Sequence, residues 1–563
     1  MQFRWNEKQK ADSKIVEQLI VSLNIPKYLA EILAQRGIET YAQAENYFNP
    51  QLEHLHDPFL MKDMDKAISH IEMTLLNDDH IMVYGDYDVD GTTSVAVVYS
   101  FLTGFSNKVS YYIPDRYKEG YGISKQGIDH AIANQIKLII ALDCGIRSLE
   151  LIQYAKDNGV EFIICDHHLP GNSLPNAIAV LDPKRPDCDY PFKELSGCGI
   201  GFKLIHAFNS KNNRGVESLY KYLDLVVVSI ASDIVDITGE NRILAYFGLQ
   251  KINKNPSIGI QALMQTYKHK ENFTISDIVF GLGPKINAAG RIADANAAVK
   301  LLIETDFHEA VSFAKVLIER NTERQGLDSD ITQEALHQLE TDPAFDAQKS
   351  TVIVGKEWHK GVIGIVASRL IEHYYKPTIV LTENDGIMSG SARSIKEFNI
   401  YNAIEQCSEY LTQFGGHMYA AGLSMKSEDF IPFKEKFEKI VASTLSDEYA
   451  IPEIAYDAAI DPSEIDDKMV RLLNRMEPFG PSNMKPIFRA NQIKDIGYAK
   501  VLKEKHLKIG IRSGRNRIDG IGFGLAYGYN LVTNGKPFDA CFTVEENDFN
   551  GTKTIQLNIK DIQ

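Results

Sequence analysis

Three aspartates at alternate positions, Asp86, Asp88 and Asp90, dominate the segment VYGDYDVDGTTS at residues 83–94. Carboxylates crowded in this way repel one another, and such clusters persist most readily where cations neutralise them. The apolar run before them reads as a strand and the run after them as a helix. The cluster then falls just past a strand's C-terminal end, where open α/β sheets bind ligands. The plain alternative is an acidic turn. A calcium loop is a weaker rival, because the glycine is in place but the bidentate Glu expected further on is missing.

Later segments repeat the theme. Asp143 ends KLIIALD, Asp166, His167 and His168 end VEFIICDHH, and Asp233 ends LDLVVVSIASD. Each lies at the end of a different apolar segment. One such residue alone is usually a cap or a satisfied core group. Four coincidences along one sheet edge point instead to a shared metal site. Oxygen ligands with one or two imidazoles favour manganese or magnesium over zinc, without excluding zinc. Two divalent ions about 3.5–4 Å apart clamp an in-line attack on phosphate. The expected chemistry is therefore metal-assisted attack on a phosphate group.

A second set of residues suits a phosphate-bearing substrate. Arg291 lies in GPKINAAGR, Ser391 and Arg393 in SGSAR, and His417 in FGGH. Glycines permit close backbone approach, and arginine offers a fork matched to phosphate oxygens. A single surface arginine is more often a solvated charge. Trp358 and His359 fit the wall of a groove, although a core position suits the Trp equally.

The elements that must position these groups follow from the apolar pattern. Short runs (80–84, 108–113, 137–143, 160–166 and 177–182) alternate with amphipathic stretches, which predicts a parallel α/β sheet, open rather than barrel-like. A second α/β region spans about 349–450. Between them, residues 306–340 read as one or two long polar helices. Beyond about 455, five short strands with turn residues between them suggest a small β-barrel of OB type. Residues 1–60 carry apolar positions at helical spacing. The resulting division is an N-terminal helical segment (1–60), a catalytic domain (61–300), connecting helices (301–345), a smaller α/β domain (346–454) and a barrel (455–563).

Bulk properties constrain the partners. The 563 residues are 44% hydrophobic and 24% charged, an ordinary globular composition. No segment approaches the ~20 apolar residues of a membrane span. The start, MQFRWNEKQKADSK, lacks a signal peptide's apolar stretch, and the six cysteines form no CxxC pair. Reduced thiols in a cytoplasmic protein are expected. Net charge is −15, yet residues 481–563 carry thirteen Lys/Arg against eight Asp/Glu. A locally basic end on an acidic body can bind a polyanion, because phosphate affinity depends on local charge.

In order, DYDVDG, LDCG, CDHH and ASDIVD resemble the four metal-binding motifs of the DHH phosphoesterase superfamily. WHKGVIGIVASRL (358–370) and FGGHMYAAG (414–422) resemble its DHH-associated domain. GPKINAAGR, the connecting helices and the β-rich end are similar to the RecJ-like branch, and the likeness covers roughly residues 60–563. It implies a 5′-to-3′ exonuclease on single-stranded DNA, using two Mn2+ or Mg2+ ions and acting in recombination and repair. By the resemblance, Asp88 and Asp143 hold one ion, while Asp90, Asp143, His167 and Asp233 hold the other. Asp86 is either a ligand or an orienting group. Simpler relatives place a ligating His where this chain has Tyr84. His168 is implied to face the phosphate, with Asp166 supporting the histidines. Arg116, Arg291, Ser391, Arg393 and His417 are implied to contact the strand or its 5′-phosphate. A single-strand binding protein or a helicase is the implied partner, without a local motif for either, and a monomer is expected. The rivals are a DHH enzyme for short oligonucleotides or cyclic dinucleotides, and a non-catalytic DHH-like scaffold. The first is usually shorter and lacks the barrel; the second would have eroded ligands.

Overall fold

The computed structural model describes residues 3–563 apart from 268, 269, 271, 293, 515, 550 and 551. Two compact units emerge. The smaller comprises residues 1–7 and 321–455, and the larger residues 8–320 and 456–563.

In the larger unit, β1 (Ile81–Gly85), β2 (Val109–Tyr112), β3 (Leu138–Leu142), β4 (Glu161–Cys165) and β5 (Ala179–Leu181) form an open sheet. Its order is β2-β1-β3-β4-β5, with every pair parallel. The strands are nearly continuous apolar runs because both faces are covered. Ile81, Val83, Ile140 and Ile163 point into one core, with Val95 of α1 (Val89–Leu102) and Phe202 of α2 (Gly197–Lys211). Met82, Tyr84, Ile139 and Ile164 point into the other, with Ile128 and Ile152. The strand order reverses between β1 and β3. A crevice opens at such a switch point, outside the strands' C-terminal ends.

Asp233 departs from the expected sheet edge. The run before it is α3 (Leu223–Ser232), and Asp233 is its C-cap. This helix is buried on nearly all sides, so its sequence is mostly apolar, and periodicity alone does not separate such a helix from a buried strand. α4 (Gly283–Ile292) carries the NAAGR motif. A single helix, α5 (Phe307–Glu340), fills the stretch where one or two were expected, and its residues divide between the units at 320/321.

The smaller unit holds a mixed sheet of β6 (Thr351–Lys356), β7 (Thr378–Asn384), β8 (Ile387–Arg393), β9 (Gln413–His417) and β10 (Ala420–Lys426), ordered β9-β10-β8-β7-β6. Only β6 and β7 pair in parallel. α6 (Ile363–Tyr374) packs on β7 and β8.

The C-terminal sheet has seven strands. Five of them match the sequence expectation: β12 (Phe488–Ile493), β14 (His506–Ser513), β15 (Asn516–Gly522), β16 (Phe538–Phe549) and β17 (Thr552–Ile562), with Ala458–Ala459 as β11 and Lys500–Leu502 as β13. A bridge between Asp495 and Ile511 brings the chain beyond β12 back to β14 and closes a barrel. The N-terminal helices do not stand apart. Leu19, Leu29 and Leu33 share one core with Phe488, Phe538 and Phe542 of the barrel. Arg242, 4% exposed, ties this body to the sheet domain, donating to the carbonyls of Tyr47, Met476, Glu477 and Pro478. None of the described helices is long and apolar enough to cross a membrane.

Candidate metal centre

Four strands end in aspartates: Asp86 after β1, Asp143 after β3, Asp166 after β4 and Asp182 after β5. Asp143 has φ 59°, a left-handed conformation that Asp tolerates because its short polar side chain can bond locally. The turn aims its carboxylate at His167. Nε2 of that buried imidazole stands 3.1 Å from Asp143 Oδ1, 3.6 Å from Asp233 Oδ2 and 3.7 Å from Asp90 Oδ2. Ligand atoms of Asp90, His167 and Asp233 lie within 4.8 Å of one another, and so do those of Asp143, His167 and His168. Asp86 and Asp88 fall outside both triads. Asp88 caps α1, accepting from the Gly91 amide at 3.0 Å. Asp86 is fully buried; its Oδ1 accepts from Gly122 N at 3.3 Å and its Oδ2 has no hydrogen-bond partner.

Asp90 is fixed by groups that sequence reasoning missed. Its oxygens accept from the amides of Gly197 (2.6 Å) and Cys198 (2.8 Å), at the N-terminus of α2, and from Ser229 Oγ at 2.7 Å. The helix terminus favours the negative charge. Gly197 is required here, since a Cβ would sit 2.6 Å from the Asp143 Cβ. The glycine-rich SGCGIG run was a usable signal; nothing in the sequence marked Ser229. Tyr121 was also missed. Its hydroxyl lies 3.1 Å from His168 Nε2 and 3.4 Å from the Asp143 carbonyl.

The electrostatics are those of a negative charge excess. Burial and the neighbouring Asp88 push the Asp86 carboxyl well above its ordinary range. Burial, followed by Asp90, Asp88, Asp233 and Asp86, does the same to Asp143. Asp233 is raised to about 8 by burial and by Asp90 and Asp88. Burial lowers His167, keeping the imidazole neutral. His168 behaves oppositely. Burial opposes its charge, but the 2.7 Å hydrogen bond from Nδ1 to Asp166 outweighs that and raises it to about 9. Asp166 also accepts from the amides of Ile146, His167 and His168. A neutral imidazole facing several destabilised carboxylates, with an orphaned oxygen on Asp86, fits hard divalent cations of the manganese and magnesium kind.

Two arginines flank this cluster. The Arg116 guanidinium lies 5.0 Å over the Tyr87 ring, and its charge acts on Asp86. α4 ends against the same place: a Cβ on Gly290 would be 2.4 Å from the Tyr87 carbonyl, and Arg291 follows, its own carbonyl accepting from Tyr117. The other candidates lie in the smaller unit. SGSAR and FGGH are strand segments. Register places His417 opposite Ala420 and Ala420 opposite Arg393, with Gly415, Gly422 and Ser391 aligned likewise. Aligned residues share a face, so Ser391, Arg393 and His417 stand on one glycine-floored surface. Arg393 donates to Ser391 Oγ at 3.0 Å, and Gly364 in the first turn of α6 packs on that pair. His417 is exposed. Trp358 is a core residue, 4% exposed, donating to Glu334 at 3.0 Å. His359 Nδ1 accepts from the Gly361 amide.

Three family models match the chain in sequence: the DHH family N-terminal domain over residues 80–230, the DHHA1 domain over 347–443 and the RecJ OB domain over 456–561. The single-stranded-DNA-specific exonuclease RecJ of Bacillus subtilis is 35% identical over 562 residues, covering 99% of this chain and 70% of that protein. The Escherichia coli protein of the same name is 30% identical over 563 residues, covering 96% of each. The crystal structure of Thermus thermophilus RecJ in complex with Mn2+ matches with a TM-score of 0.84 and 25% identity, over 100% of this chain and 79% of that one. Domain order, near-complete coverage and a shared fold agree, and the chain belongs to the RecJ family of DHH phosphoesterases.

Proposed function

We propose that this protein is a metal-dependent exonuclease that hydrolyses phosphodiester bonds of single-stranded DNA, starting from the 5′ end. The observation that carries this reading is the meeting of Asp90, Asp143 and Asp233 around Nε2 of His167, at the switch point of a parallel sheet. Intact ligands argue against a scaffold. The relatives named single-stranded-DNA-specific exonucleases match over nearly the whole chain, barrel included, which argues against a short-substrate enzyme.

Asp86, Asp88, Asp90, Asp143, His167 and Asp233 are assigned to two Mn2+ or Mg2+ ions. Divalent cations held there supply charge neutralisation, activation of water and polarisation of the phosphate oxygens. The protein's own groups do the rest. His168, held by Asp166 and Tyr121 and charged near neutral pH, adds positive charge beside the phosphate. Arg116 and Arg291 pair with strand phosphates. Ser391, Arg393 and His417 form a pocket for the terminal phosphate, where charge-assisted hydrogen bonds are strong. The barrel grips single strands without sequence preference. A cytoplasmic location, a role in recombination and repair, and partnership with a single-strand binding protein or a helicase complete the reading. Time courses on strands labelled at the 5′ or the 3′ end, with manganese or magnesium, test it. Early release of the 5′ label is expected, and 3′-first release would overturn it.

A further inference from the structure

Two oddities lie side by side at the edge of the metal centre. Immediately after Asp233 the backbone of Ile234 turns left-handed, with φ 61°. For a β-branched residue this is a genuine outlier, and such strain concentrates where function requires it. The turn leaves the Ile234 side chain 63% exposed. The second oddity is a single π-helical turn, Ile278–Leu282, directly before α4. Turns of this kind are rare and frequent at functional sites. It packs on α3 and holds the Phe280 ring 81% exposed. The two meet through Gly283, whose Cβ, if present, would lie 2.6 Å from Ser232 Oγ, one residue before Asp233.

α4 then runs from this point to Tyr87, where Gly290 packs, so it borders the cluster from Asp233 at one end to Asp86 and Arg291 at the other. Ten helical residues span about 15 Å, the scale of two or three nucleotides. Arginine chemistry stands at the Arg291 end. At the opposite end are two apolar side chains with no core to fill, Ile234 on a strained left-handed residue and Phe280 on a π-helical turn. A base has a π-face whatever its identity, and stacking on an aromatic ring is sequence-tolerant.

The geometry points to Phe280 and Ile234 as a stacking platform for a nucleobase of the bound strand, beside the scissile phosphate. This rests on the single-strand reading above and adds the residues that hold the base. It gives a use to two exposed apolar side chains at the Asp233 end of α4.

The test uses the full chain with Phe280→Ser and Ile234→Asn, the latter because Asn tolerates the left-handed backbone. Substrates are an oligothymidylate and the same strand with abasic spacers at successive positions near the 5′ end. Wild type should lose efficiency when a spacer occupies the stacked position. The double variant should lose roughly 5–100-fold on the base-bearing strand, mainly in KM, and should be insensitive to the spacer. Strand binding by fluorescence anisotropy with Ca2+ in place of manganese or magnesium, which neutralises the carboxylates, gives the same comparison with hydrolysis suppressed. If wild type degrades the strand but the variant retains its KM and spacer sensitivity, the platform is refuted while the exonuclease reading stands. If wild type neither binds nor degrades single strands, the underlying reading fails, and the platform with it.

Discussion

Two clusters of buried charge lie along α2, and they solve the cost of burial in opposite ways. Midway along it, Lys203 is fully buried and donates to Glu240 Oε1 at 2.9 Å and to the His56 carbonyl at 2.6 Å. Glu240 also accepts from Tyr190 at 2.6 Å and from the His56 amide at 3.0 Å. One positive charge faces one negative charge, and both carboxylate oxygens are bonded. At the N-terminus of the same helix, Asp90, Asp143 and Asp233 face a neutral His167, Asp86 and Asp88 add further buried carboxylates, and Asp86 Oδ2 is unpartnered. Burial alone therefore does not identify a site. A cluster that balances its own charge is structural, and one that cannot is built for something the chain does not supply.

Substitutions should separate the two. Asp143→Asn keeps the left-handed backbone and removes one ligand. Hydrolysis should fall at least about 100-fold at saturating metal, since losing a few kcal/mol of charge stabilisation costs that much. Melting in chelator should not fall, because a repelling carboxylate has gone. Retention of more than a few per cent of the activity would remove Asp143 from the centre.

Lys203→Met should do the reverse. It strands Glu240 without its cation, and breaking a buried pair costs about 3–5 kcal/mol. The denaturation midpoint should drop, while hydrolysis per folded molecule is unchanged. A variant as stable as wild type would mean that the pair is not the structural partner of this comparison.

Arg393→Ala probes a third environment, a half-buried arginine whose charge burial opposes. Loss of one charge-assisted contact should slow digestion of 5′-phosphorylated strands by roughly 10–100-fold. It should also narrow the gap between 5′-phosphate and 5′-hydroxyl ends. Equal slowing on both would reduce Arg393 to a backbone contact.

A smaller effect should appear in pH dependence. Asp233 rises from an ordinary carboxylate to about 8, through burial and then Asp90 and Asp88. A group with a raised folded pKa takes up a proton on folding. Its stabilisation is complete below the unfolded value of about 3.9 and is lost as pH climbs through the folded value. In chelator the protein should therefore melt lower at about pH 8.5 than at about pH 5.5. Saturating manganese should shrink that difference, and so should Asp233→Asn. The Lys203 pair should contribute no comparable slope, and a slope unaffected by metal would place its origin elsewhere.

Most of the acidic residues that gather at the sheet edge were legible from sequence. Asp86, Asp143 and Asp166 were legible because each follows a short apolar run, and strand ends of a parallel sheet are fixed by local pattern. The barrel's five main strands were legible for the same reason. Tertiary structure alone decided the rest. Asp233 lies at a helix end, which local pattern did not show, because a ten-residue segment buried on nearly every side carries too little polar periodicity to separate helix from strand. Ser229 and the Gly197 amide reach Asp90 from residues more than a hundred positions away, and no spacing rule links them. Trp358, left open between groove and core, is placed by its bond to Glu334 on α5. The N-terminal helices share the barrel's core, although nothing in their periodicity says which body covers their apolar faces. Local chemistry names candidates, but which of them meet is set by chain crossings whose free energy comes from burial summed over the fold.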